Sequence, residues 1–171
     1  YQTPQAHFCL RDEGTFSADQ TQWHRRRVFS LSLGDWLDPE VPIEWLADML
    51  DVIRRCPELR FLLLTKRVDL FNRRLQDAIN ICVRMSAQEF WLRGWAHGGF
   101  APQNVWLGVS VEDQQRADER RGEFSTIPSA KKFVSYEPAL TAVNWTCWQF
   151  VDQIIFGGES GPGHRPCEVR W

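Results

Sequence analysis

The chain has no two cysteines close together. Cys9, Cys56, Cys82, Cys147 and Cys167 are scattered over 171 residues, no pair closer than twenty positions. That spacing excludes a local C-x-x-C metal or redox motif, and the odd count fits reduced cytosolic thiols better than a disulfide framework. Histidine is sparse: His7, His24, His97 and His164 share no metal-ligand spacing. No apolar run approaches the roughly 20 residues that span a bilayer, and the amino end carries no signal-peptide pattern, so no membrane partner is expected. No G-x-G-x-x-G follows the first strand-like segment, which leaves a dinucleotide fold without support. Serine-nucleophile elbows are also missing, since Gly158-Glu159-Ser160-Gly161 does not match G-x-S-x-G. Lysine occurs only at Lys66, Lys131 and Lys132; all other cationic charge is arginine, which suits planar contacts to carboxylate and phosphate. A formal charge of −2 gives no global pull toward nucleic acid or an anionic membrane.

What is present fits one domain with a real core: 43% of the residues are hydrophobic. Residues 1–27 have no sustained period and end in His24-Arg25-Arg26-Arg27, which reads as an irregular leader with a solvated basic run. From 28 to 171 a rhythm begins. Val28–Leu33, Phe61–Leu64, Val105–Val109, Lys132–Ser135 and Gln153–Phe156 are largely apolar runs of strand length, the pattern of parallel strands covered on both faces. Between them, Asp38-Pro39-Glu40 reads as a helix start, followed by Trp45, Leu46, Met49, Leu50 and Ile53 at helical spacing. Phe71, Leu75, Ala78, Ile79 and Cys82 mark a second helix face. Ser86 to Glu89 fits a capping box, and Asp113 to Arg121 a polar, exposed helix. His97 falls in an expected loop. The alternation predicts an α/β fold: a partial (β/α) barrel or open parallel sheet of about five strands with intervening helices. Five units fall short of a closed eight-strand barrel of about 250 residues.

Each strand runs into polar residues at its carboxyl end: Asp35 after the first, Lys66 and Arg67 after the second, Glu112 and Asp113 after the third, Glu137 after the fourth, and Gly157, Gly158, Glu159 and Ser160 after the fifth. In parallel α/β folds those ends share one rim, where active sites sit. Clustered carboxylates repel unless a ligand, a cation or the Lys66–Arg67 pair compensates them. Asp113 reads as a helix cap. The segment Gly157–Gly163 is either a tight turn or a set of backbone amides aimed at an anion. These residues make a small anionic ligand the expected partner at the rim, leave nucleic acid undecided, and name no catalytic residue. Of the nine tryptophans most are expected in the core, with several of Trp36, Trp91, Trp95, Trp145, Trp148 and Trp171 exposed as a protein-binding patch.

The segments Leu64–Arg67, Asn104–Asp113, Ser135–Pro138 and Gly157–Pro162, in that order, resemble an uncharacterised bacteriophage family, the "gp thirty-seven / gp sixty-eight" family, over about Val28 to Pro166. The resemblance implies a barrel like that of radical S-adenosylmethionine enzymes. Fuller members carry an amino-terminal cysteine cluster suggestive of an iron–sulfur cluster, and continue beyond the position of Trp171. Here Cys9 stands alone, and a four-iron cluster needs several thiolates, so no cofactor, metal ion or cluster is expected in this chain. The first strand departs from the family pattern at Gly34-Asp35-Trp36-Leu37. Three readings follow: a barrel without a cluster that binds a small anionic or nucleotide-like ligand, a fragment of a complete radical S-adenosylmethionine enzyme, or a non-catalytic module that binds a host or phage protein in the host cytosol.

Overall fold

Five apolar runs become five strands: β1 (Arg27–Ser30), β2 (Arg60–Thr65), β3 (Val105–Ser110), β4 (Lys131–Tyr136) and β5 (Gln153–Phe156). The structure, a computed structural model, describes residues 26–31, 34–97 and 99–168. Most of the expected leader, with Cys9, His24 and Arg25, lies outside those residues, as do Ser32, Leu33, Gly98 and Trp171. The strands form one parallel sheet in the order β1-β2-β3-β4-β5. Between them run α1 (Ile43–Arg55), then a 3-10 turn (Val68–Leu70) with α2 (Phe71–Ile81) and α3 (Ala87–His97), then α4 (Gln114–Thr126). The expected α/β architecture is the observed one, compatible with an open β/α barrel or sheet.

Sequential strand order has a direct consequence. Right-handed crossovers between successive neighbours place every connecting helix on the same face of the sheet. The burial pattern agrees. Phe61, Leu63, Val105, Leu107, Val109, Val134 and Tyr136 point to the helices and join one buried core with Leu46, Leu50, Ile53, Leu75, Leu92 and Phe124. The alternate residues form an open face. There the register aligns Phe29, Leu62, Trp106 and Lys131 in one row, Leu64, Gly108, Phe133 and Gln153 in the next, and Ser110, Ser135 and Ile155 in a third.

Local chemistry explains where the elements depart from expectation. β1 stops at Ser30 rather than Leu33, because Leu31 turns into the left-handed region at φ 55, uncommon for a bulky side chain. α1 begins at Ile43, not at Asp38-Pro39. A residue before proline is pushed away from helical backbone, so Asp38 and Val41 delay the helix until Pro42 has been passed. Asp38 instead closes a turn by accepting from the Glu40 amide at 2.9 Å. Two expected caps form: Glu89 N–H donates to Ser86 Oγ at 3.1 Å, and Arg116 N–H to Asp113 Oδ1 at 2.8 Å. His97 ends α3 instead of lying in a loop, its Nε2 2.9 Å from Gln76 Oε1. Among the described residues no helix is long and apolar enough to cross a membrane.

The tryptophans correct the idea of an exposed patch. Trp36, Trp95 and Trp148 are buried, Trp91 and Trp145 half-buried. Trp36 stacks on Trp95 with centroids 6.1 Å apart, and Phe71 meets both edge-on. Trp95 Nε1 donates to the Pro128 carbonyl at 2.8 Å. Among the described residues the exposed indole is Trp45, 68% exposed although it was expected on the buried face of α1. Lys132 also turns inward, between Phe124 and Phe150, and caps the last turn of α4 by donating to the Phe124 and Ser125 carbonyls. Burial pushes its ammonium down to about 8.

On the open face the Phe133 ring lies across Gly108, so that a Cβ there would stand 2.2 Å from the ring. Gly108→Ala is expected to cost about 1–3 kcal/mol in urea unfolding, the range for overpacking. Gly108→Ala with Phe133→Leu should recover most of that loss; an equal loss in both variants would place the strain elsewhere.

Candidate functional site

Asp35 follows β1 in the turn closed by Gly34 N–H to the Leu31 carbonyl. Its carboxylate accepts from the Leu37 amide at 3.0 Å, Thr65 Oγ1 at 2.7 Å and the Lys66 amide at 2.7 Å, and the Arg67 guanidinium stands 3.4 Å away. One side chain therefore fastens the end of β2 to the β1 loop and orients Trp36 and Leu37 into the core. Arg67 also pairs with Asp38 at 2.8 Å. Lys66 crosses to Glu112 at the end of β3, Nζ to Oε1 2.8 Å, and the other Glu112 oxygen takes Arg120 of α4 at 2.9 Å. Arg120 donates as well to the Ser110 carbonyl. Thus Asp35, Lys66, Arg67 and Glu112 come together, with Asp38 and Arg120 as members that strand-end reasoning missed. Arg120 was hidden because it reaches back eight residues from a helix that reads only as polar and exposed.

The rest of the anticipated rim is joined through backbone. After β4 the Ala139 amide donates to the Gly157 carbonyl and the Leu140 amide to the Glu112 carbonyl, both at 2.9 Å. Glu137 is exposed and accepts from Ser135 Oγ at 3.2 Å. Gly157 lies close beside it, so that a Cβ there would stand 2.3 Å from Glu137 Oε1 and displace that carboxylate. Glu159 turns to a different partner: Arg165 grips both its oxygens, at 2.6 and 2.9 Å, and gives its backbone amide at 2.8 Å. This clamp closes the turn through Gly161 and Gly163, which take positive φ, and it leaves Gly158 and Ser160 in an exposed loop. His164 Nδ1 lies 3.1 Å from the Gly161 carbonyl in the same turn. Among the described residues no ion pair links Glu137 or Glu159 to the Lys66 group.

A hollow of about 220 Å³ opens where β1, β2 and β3 end, lined by Phe29, Leu31, Gly34, Asp35, Leu64, Thr65, Lys66, Arg67 and Ser110. Its charges are layered. The carboxylates are the covered partners, with Asp35 and Glu112 side chains 11% and 13% exposed; Lys66 and Arg67 are 55% and 39% exposed. The cations are thus the more accessible partners of these ion pairs, and apolar Phe29, Leu31 and Leu64 line the hollow with Lys66 and Arg67.

Among the described residues no set fits the iron–sulfur cluster that the family resemblance implies. Among the described residues Cys56, Cys82, Cys147 and Cys167 are separate free thiols, and no three His, Cys, Asp or Glu side chains are grouped to hold a metal ion. Burial and the nearby Glu89 and Asp51 carboxylates push the Cys82 thiol up, away from ligating thiolate. No chemical step is derived through such a group.

Comparison with known proteins finds one family model, described as "Protein of unknown function (DUF5131)", matching residues 7–171. No curated protein and no solved structure matches.

Two measurements check this geometry. Asp35→Ala leaves the donors of buried Leu37 and Thr65 without their acceptor and should cost about 2 kcal/mol in chemical denaturation, whereas exposed Lys66→Ala should stay within about 1 kcal/mol. The Arg165 hydrogen bonds hold the Glu159 carboxyl down at about 2, below its ordinary 4.5. A depressed acid contributes fully above its unfolded pKa and loses its contribution as pH falls through the folded one. The Glu159 carboxyl carbon should therefore show no titration step near pH 4.5 and should shift only as pH falls toward about 2; a step near 4.5 would contradict the clamp.

Proposed function

The chain belongs to the DUF5131 family of proteins of unknown function, and on that premise we propose that it binds a small anionic, nucleotide-like ligand at the carboxyl ends of β1, β2 and β3. The observation that carries this reading is the charge layering of the hollow, with Lys66 and Arg67 outermost and Asp35 and Glu112 covered behind them. Ion pairs to covered carboxylates orient the two cations and leave their outer donors for a ligand carboxylate or phosphate. Phe29, Leu31 and Leu64 offer the flat apolar wall that a base or similar ring requires. Strand ends are also where parallel α/β folds collect their ligands.

The resemblance to the phage family with radical S-adenosylmethionine-like barrels supports the nucleotide-like part of this reading, since S-adenosylmethionine carries an adenosine and a carboxylate beside its cationic sulfonium and ammonium groups. It also supports a phage protein acting in the host cytosol. The test is equilibrium binding of adenosine monophosphate and of S-adenosylmethionine, by calorimetry, to the whole chain. Lys66→Ala and Arg67→Ala are each expected to weaken binding about tenfold while the far-ultraviolet spectrum stays unchanged. Unaltered affinity in both variants, or no binding of either compound, overturns the reading. A second reading, a module for a host protein, draws on the exposed Trp45 and Val52 of α1. A stable host complex that survives Lys66→Ala and is lost with Trp45→Ala would favour it.

A further inference from the structure

Two apolar surfaces stand exposed on the helical side of the protein. On α1, Trp45 and Val52 lie two turns apart on one outward stripe. Acids border that stripe: Glu44 and Asp48 are exposed and, among the described residues, enter no ion pair. In the turn between α2 and α3, Val83 and Met85 are each 78% exposed, on either side of exposed Arg84. This turn is fixed. The Ser86 amide donates to the Val83 carbonyl at 3.1 Å, and the Met85 amide to Glu89 Oε2 at 2.6 Å. Met85 takes the left-handed backbone at φ 62, uncommon for a residue with a side chain. A closed turn that holds two large apolar side chains in water, one of them on an unfavourable backbone, gains nothing for the chain that carries it. Such costs mark surfaces that meet a partner. Glu89 feels the Arg84 charge but is already held by Arg93 and by the Met85 amide, and among the described residues Arg84 has no ion pair of its own.

The two surfaces are neighbours. Gln88 Nε2, at the start of α3, donates to the Ala47 carbonyl of α1 at 2.8 Å, and the Cys82 thiol just before the turn senses the Asp51 carboxylate of α1. An acid-bordered apolar stripe therefore lies beside an apolar turn with a cation at its tip. Within one molecule both point outward and do not meet. Across a two-fold axis they do: the stripe of each copy faces the turn of the other, the self-complementary geometry of an isologous contact. We propose that this surface is the interface of a symmetric homodimer, in which Val83 and Met85 of each subunit pack on Trp45 and Val52 of the other and Arg84 meets the Glu44–Asp48 edge across the axis. Charge complementarity selects a second copy over a lipid surface, because the acids of the stripe repel anionic headgroups while they attract Arg84. The inference rests on neither reading of the preceding subsection.

Sedimentation equilibrium of the whole chain tests this, with far-ultraviolet spectra to confirm that each variant stays folded. The chain is expected to form a closed dimer at micromolar concentration. Met85→Glu and Trp45→Ala, both at exposed positions, should each raise the dimer dissociation constant about a hundredfold, about tenfold for each of two equivalent contacts. Arg84→Glu should dissociate the dimer, as should Glu44→Lys combined with Asp48→Lys. The chain carrying all three charge reversals should dimerise again. A monomer at every concentration overturns the proposal, and so does a dimer indifferent to both Met85→Glu and Trp45→Ala. Failure of the three reversals to restore a dimer that the separate reversals dissociate also overturns it. Open-ended growth with concentration rejects the two-fold contact. A monomer that instead cosediments with phosphatidylglycerol vesicles, and loses them with Met85→Glu, overturns the dimer and assigns the turn to a lipid surface.

Discussion

Each strand of this sheet pairs with the strand that follows it in sequence, and every crossover has the same hand. That constraint sends all four helices to one side and concentrates the apolar core there. Among the described residues it also leaves the other side of β1 to β4 without a helical cover, so that Phe29 is exposed and Leu62, Leu64 and Trp106 are only partly buried. Phe133 is the exception, closed over Gly108 on the open face yet outside the main core. A doubly wound sheet would have hidden these positions. In this topology they are surface, and what they carry becomes chemistry rather than packing.

At the carboxyl end that chemistry is organised by Asp35. Its four donors come from both sides of the β1–β2 junction, so the carboxylate acts as structure before it can act on a ligand. Lone charges at strand ends are cheap because water solvates them; a charge this covered must be satisfied by protein. The consequence is an inversion of what a count of rim acids suggests. Acids outnumber bases at the strand ends, yet the covered ones, Asp35 and Glu112, are consumed as supports for Arg67, Lys66 and Arg120, and the hollow presents its cations.

The sheet was legible in the sequence because long apolar runs with crossover-length gaps have few other solutions, and all five strands lie where those runs lie. Edges were less legible. The end of β1 depends on a left-handed Leu31, and the start of α1 on two prolines whose effect falls on the residues before them. Tryptophan exposure was not legible, because helical spacing identifies a face but not what covers it: Trp36 finds Trp95 across 59 positions, while Trp45 stays 68% exposed. The nearness of Lys66 to Glu112 followed from parallel strand ends. The partners Arg120 and Arg165 did not, since a reach back along a helix and a clamp across a glycine turn have no periodic signature.

The two ends of the open face are separate electrostatic systems. Roughly 20 Å of strand lies between Arg60 and Lys66, while charges in physiological salt are screened beyond about 8 Å. The rows between them, Phe29 with Leu62 and Leu64 with Gly108 and Phe133, supply no charge to relay one end to the other. Substitutions at the two ends share no partner and no cavity, the condition under which free energies add. Among the described residues no connected path of polar groups crosses the apolar rows, so a departure from additivity in an Arg27, Lys66 double variant points to a ligand long enough to touch both ends.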